Sequence, residues 1–468
     1  MKKHPLLLFF PVVVLVLMIA CRKNAFTTSP NAVVAFSADT LFFDTVFVST
    51  GSITQFVKIV NDNNEKLRLS DVRLMGGSQS YFHLVIDGVA GPERDNIDLD
   101  AGDSLYIFAA VQIDPRSAGL SFVVQDSIEV VYNGVRRFIQ LQAYGQNARF
   151  LRNQVLTGAN SWDNRLPYVI LGGLRVDSNA QLTVAAGTKV YFHADAPLLV
   201  DGSLVVNGEK YDSTRVYFQG DRLDPPYSGF PGSFPGIYFR ETSSGSHLQY
   251  AVIRGAYQAV VVQAGPAGAA PKVLLEQCII DNSYDAGILG IGGSLQANNC
   301  LISNCGKNIV VGGGGSYRFT HCTAASYSNV LITHTQPVLS IADVLQLGGA
   351  TLAGSLQADF TNCIFWGGNG SVDNEVVVSR QGSSPFAVNF SNCLWKVKNA
   401  PSGVTATGMI ANQDPLFDTV NNSRAVYDFH LQPGSPALGV GLPAGVLIDL
   451  DGNPRPASTP DIGCYQKQ

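Results

Sequence analysis

The sequence has few charged residues and no cluster of histidines. Only 14% of its 468 residues are charged, and the formal net charge is −5. A mildly acidic chain lacks the basic patch that nucleic acid requires, so we predict no nucleic-acid partner. The seven histidines form no HExxH or other zinc-spaced motif, and we therefore predict no metal site of that kind. Glycine is abundant, with 47 residues, and this composition favours an exported β-rich protein.

A membrane-spanning segment is also missing from the sequence. The apolar stretch from Leu6 to Ile19 has 14 residues, whereas a spanning helix needs about 20. Preceded by Lys2 and Lys3, this stretch is typical of a signal peptide, which we assign to residues 1–20.

The end of this segment, LMIAC, resembles the lipobox of bacterial lipoproteins. The resemblance implies that Cys21 becomes acylated and that the lipid membrane is a partner of the protein. An ordinary signal peptide with an incidental cysteine is the alternative. Arg22 follows the cysteine in place of Asp, which in Gram-negative lipoproteins implies the outer membrane. Whether the protein faces the periplasm or the exterior stays open.

After an anchor and linker at 21–32, residues 33–146 alternate apolar and polar positions in about seven short runs, such as ITQFVKIV and KLRLSDVRLM. Turn-forming segments such as NDNN and DAGD separate these runs, a pattern that predicts a β-sandwich. The order of the runs resembles the immunoglobulin-like domains of the ASPM–SPD-2–Hydin type. That resemblance implies a binding or spacer module without catalytic residues.

From residue 150 onward the sequence repeats. GSLQANNC (293–300) and GSYRFTHC (315–322) align without a gap at a step of 22 residues. A period near 20 with short strands indicates a solenoid in which each repeat forms one coil. Equivalent positions of successive coils then stack, and we predict a buried ladder of small apolar cysteines, with the Asn, His or Gln before each cysteine in a turn. The predicted ladder consists of Cys278, Cys300, Cys322, Cys363 and Cys393.

Disulfide pairing within this ladder is unfavourable, because stacked Cβ atoms point in the same direction. Seven cysteines remain beside Cys21, and an odd number excludes complete pairing. Pairing of Cys300 with Cys305 stays open at this stage.

The coils before the ladder and the closing segment, with DPLFDTVNNSRAVYDFHLQPGSPALGVG and PDIGCY, resemble bacterial right-handed parallel β-helix proteins of the pectin-lyase-like fold. The resemblance covers about Asn153 to Tyr465. We assign the β-helix to residues 150–468, with a closing module of the choice-of-anchor Q type from about 412. The predicted fold class is therefore all-β, an immunoglobulin-like sandwich followed by a right-handed parallel β-helix.

Catalytic motifs of this fold are absent from the sequence, including the lyase-type arginine motif and the paired aspartates of polygalacturonases. The best remaining cluster is Asp281 and Asp285 in DNSYDAG, one coil before Lys307. On one face, these carboxylates would bind a cation or move a proton while the lysine neutralises a uronate. The alternative is that both aspartates are turn residues. We predict no cofactor, and calcium is left open without a clear motif.

An insertion rich in proline, glycine and aromatics, LDPPYSGFPGSFPGIYF, offers rigid apolar faces for sugar rings. Its candidate ligand-binding residues are Tyr227, Phe230, Phe234 and Tyr238. The sequence thus predicts a monomeric, non-catalytic envelope lipoprotein that binds polysaccharide or an envelope protein along the β-helix. A polysaccharide lyase or glycoside hydrolase with an atypical site is the alternative.

Overall fold

The computed structural model describes residues 25–47, 54–112, 121–223, 226–265, 270–368 and 371–468. The predicted signal peptide and Cys21 lie outside these residues. The chain divides into two compact units, Met1–Ala148 and Arg149–Gln468. No α-helix occurs among the described residues, and in these ranges no helix is long and apolar enough to cross a membrane.

The first unit is a sandwich of two five-stranded sheets whose inner faces are apolar. Phe43 and Phe82, from different sheets, have ring centroids 5.6 Å apart, which shows that the sheets face each other. One sheet has the order β1 (Val34–Phe36), β3 (Gln55–Asn61), β8 (Ser104–Val111), β5 (Phe82–Ile86) and β6 (Val89–Ala90). The other has the order β2 (Thr40–Phe47), β10 (Val135–Gln146), β9 (Ser121–Tyr132), β4 (Leu67–Leu74) and β7 (Glu93–Leu99).

The second unit is a parallel β-helix with three ladders of strands. Ladder 1 consists of β12 (Ala159–Trp162), β14 (Gln181–Ala185), β17 (Ser203–Asn207), β20 (Ser246–Gln249), β23 (Val273–Glu276), β26 (Ser294–Asn298), β29 (Gly315–Thr320), β34 (Leu356–Thr361), β37 (Phe386–Ser391) and β39 (Thr405–Thr407). Ladder 2 consists of β15 (Lys189–Phe192), β18 (Val216–Gly220), β21 (Ala251–Arg254), β24 (Ile279–Asp281), β27 (Leu301–Ser303), β30 (Thr323–Ser326), β35 (Ile364–Gly367), β38 (Leu394–Trp395) and β40 (Ile410–Ala411). Ladder 3 consists of β16 (Leu198–Val200), β19 (Ile237–Phe239), β22 (Gln258–Gln263), β25 (Ala286–Ile291), β28 (Lys307–Gly312), β31 (Leu339–Ala342) and β36 (Val376–Ser379).

Each complete coil contributes one strand to each ladder. The coil of β26, β27 and β28 pairs in parallel with the coils before and after it. Two longer strands, β11 (Arg149–Leu156) and β13 (Tyr168–Val176), begin the helix. The predicted fold class, all-β with a sandwich followed by a β-helix solenoid, is confirmed.

The turn between ladders 1 and 2, which we call the cysteine corner, repeats one backbone conformation. The residue before each predicted ladder cysteine has a positive φ angle between 48° and 54°. Asparagine adopts this left-handed conformation at the lowest cost among non-glycine residues. The five residues are Gln277, Asn299, His321, Asn362 and Asn392.

The five cysteines that follow these turns are almost completely buried and point into the core of the helix. All seven cysteines among the described residues are free thiols, including Cys300 and Cys305. The ladder thus packs as small apolar side chains, and Cys300 and Cys305 are not joined.

The segment after β40 closes the β-helix and then runs back along it. A hairpin of β41 (Phe417–Asn421) and β42 (Val426–Leu431) packs its apolar residues on the outer face of ladder 2. The remaining chain follows the cysteine corner, where Nδ2 of Asn392 and of Asn299 donate to the carbonyls of Val440 and Ile448. A second hairpin, β32 (Val344–Leu347) and β33 (Ala350–Ala353), occupies the insertion after Cys322.

Candidate functional site

The aromatic insertion lies between β18 and β19, on the outside of the helix at the turn between ladders 2 and 3. Tyr227 and Phe230 flank a single 3₁₀ turn, with 41% and 37% of their surfaces exposed and ring centroids 5.2 Å apart. The guanidinium of Arg222 lies over the Tyr227 ring at 3.9 Å, a cation–π contact that holds this ring in place.

Contacts with later coils hold the insertion on the helix. Nδ2 of Asn282 donates to the carbonyl of Gly229 at 2.8 Å, and the amide of Gly232 donates to the carbonyl of Ala256 at 3.2 Å. A Cβ on Gly232 would lie 3.4 Å from the Cβ of Tyr284. The insertion therefore lies against the turns that follow β21 and β24.

Those two turns each present a tyrosine that sequence reasoning missed. Tyr257 and Tyr284 are 45% and 57% exposed, and their rings lie 5.6 Å apart with an angle of 23° between the ring planes. They occupy equivalent places in RGAYQA and DNSYDA, an alignment that would have revealed them. We call Tyr227, Phe230, Tyr257 and Tyr284 the aromatic strip.

Two predicted ligand-binding residues do not belong to the strip. Phe234 is 0% exposed and stacks on Phe192 in the core, with ring centroids 4.8 Å apart, so it is not accessible to a ligand. Tyr238 is half-buried, donates its hydroxyl to the carbonyl of Pro235, and packs beside an apolar cluster on the outer face of ladder 3. Burial raises the pKa of Tyr238.

The two candidate acids lie beside the strip, and both are fully engaged. The Asp281 carboxylate accepts hydrogen bonds from Ser303 Oγ at 2.7 Å and Arg254 Nε at 3.1 Å. The structure brings Asp285 and Lys307 together as predicted from their stacking, with an ion pair of 3.0 Å. Both acids also border the turn that carries Tyr284.

The other Asp285 oxygen accepts from Gln258 Nε2 at 2.7 Å. Each oxygen of the two carboxylates thus has a side-chain partner among the described residues. Asp281 ends β24, and the partners of both acids are side chains of the neighbouring coils. The role of turn residue, which was the alternative from the sequence, stays a prediction.

A carboxylate–imidazole pair at the same corner was also missed. Nδ1 of the half-exposed His193 lies 2.8 Å from Oδ2 of Asp221. Asp221 directly precedes Arg222, whose guanidinium lies over the Tyr227 ring. Burial raises the pKa of Asp221, while the hydrogen bond to His193 opposes this effect. The two residues are 28 positions apart in the sequence, and the stacking of coils brings their side chains together.

Among the residues that the structure describes, potential metal ligands converge in the sandwich and not at the strip. Within the described ranges, the carboxylates of Asp71, Glu93 and Asp95 approach within 4.8 Å of one another. Arg73 lies 3.3 Å from Asp71 and neutralises part of this charge. The carboxylate of Asp449 in DLDGN accepts hydrogen bonds from the backbone amides of Asp451 and Asn453, as a turn residue does.

The comparisons with known proteins found no matching family model and no matching curated protein. Among solved structures, the chain is similar to the catalytic unit of a GH87 α-1,3-glucanase from Streptomyces thermodiastaticus, with 10% identity, a TM-score of 0.24, and coverage of 77% of this chain and 90% of that one. It is also similar to a family 123 glycoside hydrolase from Clostridium perfringens, with 9% identity, a TM-score of 0.20, and coverage of 29% and 31%. The chain thus spans under a third of the latter enzyme.

A PapD-like (ASH) domain of human CEP192 matches with 13% identity and a TM-score of 0.17, covering 26% of this chain and 89% of that one. The structural neighbours thus include glycoside hydrolases. Identities near one tenth and TM-scores below 0.5 transfer no function to this chain.

Proposed function

We propose that the β-helix binds a carbohydrate chain along the aromatic strip. The observation that carries the proposal is that two pairs of exposed aromatic rings, one on the insertion and one on two successive coils, stand on segments that are hydrogen-bonded to each other. Exposed rigid rings offer large contact area at little entropic cost. Hydrogen-bonding groups of His193, Gln258 and Asp285 border the rings and match the hydroxyl groups of sugars.

Binding without catalysis agrees with the contacts of the two candidate acids. A glycoside hydrolase needs one carboxyl group that can donate a proton to the leaving group. It also needs a second carboxylate that either attacks the sugar or activates a water molecule. Asp281 and Asp285 instead neutralise Arg254 and Lys307. These contacts support the proposed binding role, in which the sandwich is a spacer that follows the anchor and precedes the β-helix in the chain.

The test is retention of the chain, without its anchor, in gels that contain single polysaccharides. We expect Tyr257→Ala and Tyr284→Ala each to weaken binding at least about tenfold, because each removes a central contact. Tyr211→Ala is the matched control, since Tyr211 is 62% exposed, more than any tyrosine of the strip, and lies outside the strip. Unchanged polysaccharide binding by both strip variants would exclude the aromatic strip as the binding site.

A polysaccharide hydrolase or lyase is the second candidate, favoured by the His193–Asp221 pair next to the strip. The same polysaccharides are incubated with the protein, with and without calcium, and new reducing or unsaturated ends are assayed. Cleavage that is lost in His193→Ala or in Asp285→Asn would establish an enzyme and locate its site. Retention without cleavage supports the binding protein.

The lipobox-like sequence that ends at Cys21 supports a proposal for the location of the protein. We propose that acylated Cys21 anchors it to the outer membrane. Cys21→Ser is expected to release the protein from membranes into the soluble fraction, and full membrane association of this variant would contradict the anchor.

A further inference from the structure

The charges beside Tyr257 and Tyr284 are paired. Arg254 and Lys307 form ion pairs of 3.1 and 3.0 Å with Asp281 and Asp285. Arg222 lies with its guanidinium over the Tyr227 ring. Among the described residues, Arg254 and Lys307 thus each face a carboxylate, and neither is left as an unpaired cation for an anionic polymer.

Two rings of the strip also follow the axis of the β-helix. Tyr257 and Tyr284 occupy the same place in successive coils, and a hydrogen bond of 2.9 Å joins the amide of Tyr284 to the carbonyl of Ala256. Coils of a parallel β-helix are separated by about 4.8 Å. The separation of 5.6 Å between the centroids of the two rings is close to this repeat and comparable to the length of one sugar residue.

We propose that the ligand of the strip is a neutral polysaccharide that lies parallel to the helix axis, with about one sugar residue per coil. The inference rests on the proposed carbohydrate-binding function and adds the class of glycan and its direction. A uronate or sulfated chain would meet carboxylates at each coil and would lose its hydration without gaining a free cation.

The experiment compares neutral glucans and mannan with polygalacturonate and alginate as probes, at low and high salt. We expect the wild-type chain to bind one of the neutral probes, with less than about a twofold change in Kd between 50 and 500 mM salt, because screening acts only on unpaired charge. Affinity for oligosaccharides of the bound type should rise up to about four residues and then level off.

A charge-release variant makes the test sharper. Asp281→Asn with Asp285→Asn leaves Arg254 and Lys307 without their carboxylates, so this double variant should gain binding to polygalacturonate that weakens about tenfold or more at high salt. Asp373→Asn is the control, because it releases Lys398 from an exposed ion pair outside the strip. Thermal unfolding verifies that both variants are folded.

The outcomes separate the two proposals. Salt-insensitive binding of a neutral glycan, with the gain in the double variant, supports the inference. In the opposite outcome, the wild type prefers polygalacturonate, in a salt-sensitive way that Tyr284→Ala abolishes. This result would overturn the proposal that the glycan is neutral, but it would support carbohydrate binding at the strip. Retention of none of the probes would overturn both.

Discussion

Nη2 of Arg455 lies 2.9 Å from Oδ1 of Asn299, although the two residues are 156 positions apart in the sequence. Arg455 also donates to the carbonyls of Asp461 and Gly463. Asn299 is one of the left-handed residues of the cysteine corner. This contact therefore joins the closing segment to the repeating turns of the solenoid.

Loss of the Arg455 contacts is expected to destabilise the β-helix. Arg455→Met keeps the apolar volume of the side chain but leaves three buried acceptors without a donor. The free energy of unfolding should therefore fall by about 3 kcal/mol. Denaturant unfolding measures the effect, with the exposed Arg424→Met as control. Equal midpoints for wild type and Arg455→Met would show that the closing segment contributes little to stability.

The closing hairpin is expected to lose stability at high pH. His430 lies between Asp428 and Asp451, at 2.8 Å from the latter, and these hydrogen bonds raise the pKa of His430 to about 9 from 6.5. Because the folded pKa is the higher one, the stabilisation is complete below pH 6.5 and disappears as pH rises through 9. We expect the difference in unfolding midpoint between wild type and His430→Gln to be large at pH 6 and small at pH 10.

If the unfolding midpoints of wild type and His430→Gln differ by the same amount at pH 6 and pH 10, the charge on His430 does not stabilise the hairpin. His83→Gln, an exposed histidine of the sandwich, serves as the control.

Acid should weaken the cysteine corner through His321. Burial, followed by the nearby Arg455, lowers the pKa of His321 from 6.5 to about 3, and its Nε2 accepts a hydrogen bond from Asn362. The unfolded chain takes up a proton that the folded chain rejects, so stability falls as pH decreases from 6.5 toward 3.

His321→Asn replaces this histidine by the residue that other coils carry and should reduce the loss of stability in acid. Unfolding midpoints at pH 7 and pH 4 for wild type and variant measure the change. An identical decline in both proteins would show that other groups cause the acid sensitivity.

The buried thiols should be unreactive until the protein unfolds. All seven described cysteines are at most 1% exposed, so a reagent cannot reach them in the folded protein. For Cys305, burial also raises the pKa to about 12, and the thiolate is the reactive form. In the chain without its anchor, we expect a thiol reagent to label none of the seven described cysteines in the native state and all seven after unfolding without reductant. Fewer than seven labelled thiols in the unfolded protein would indicate a disulfide.

Local repetition made the solenoid predictable. A strand, a left-handed residue and a small buried residue recur in Asn299–Cys300 and Asn362–Cys363, and each repeat needs only its neighbours to bury its apolar face. The buried cysteine ladder and the turns before it were therefore visible in the periodicity of the sequence.

The identity of the exposed aromatics depended on tertiary contacts. Phe234 and Phe230 stand four positions apart in one insertion, yet the first stacks on Phe192 in the core and the second remains at the surface. Tyr257 and Tyr284 became part of the same surface only because two coils stack and the insertion packs on them.

The sequence by itself thus determined the all-β class, the coil length and the residues of the cysteine corner, because these depend on interactions within a coil and with the next one. The tertiary structure decided which charges cancel, which rings remain exposed and where Arg455 binds. Such contacts join segments as distant as 156 residues, and no local pattern encodes them.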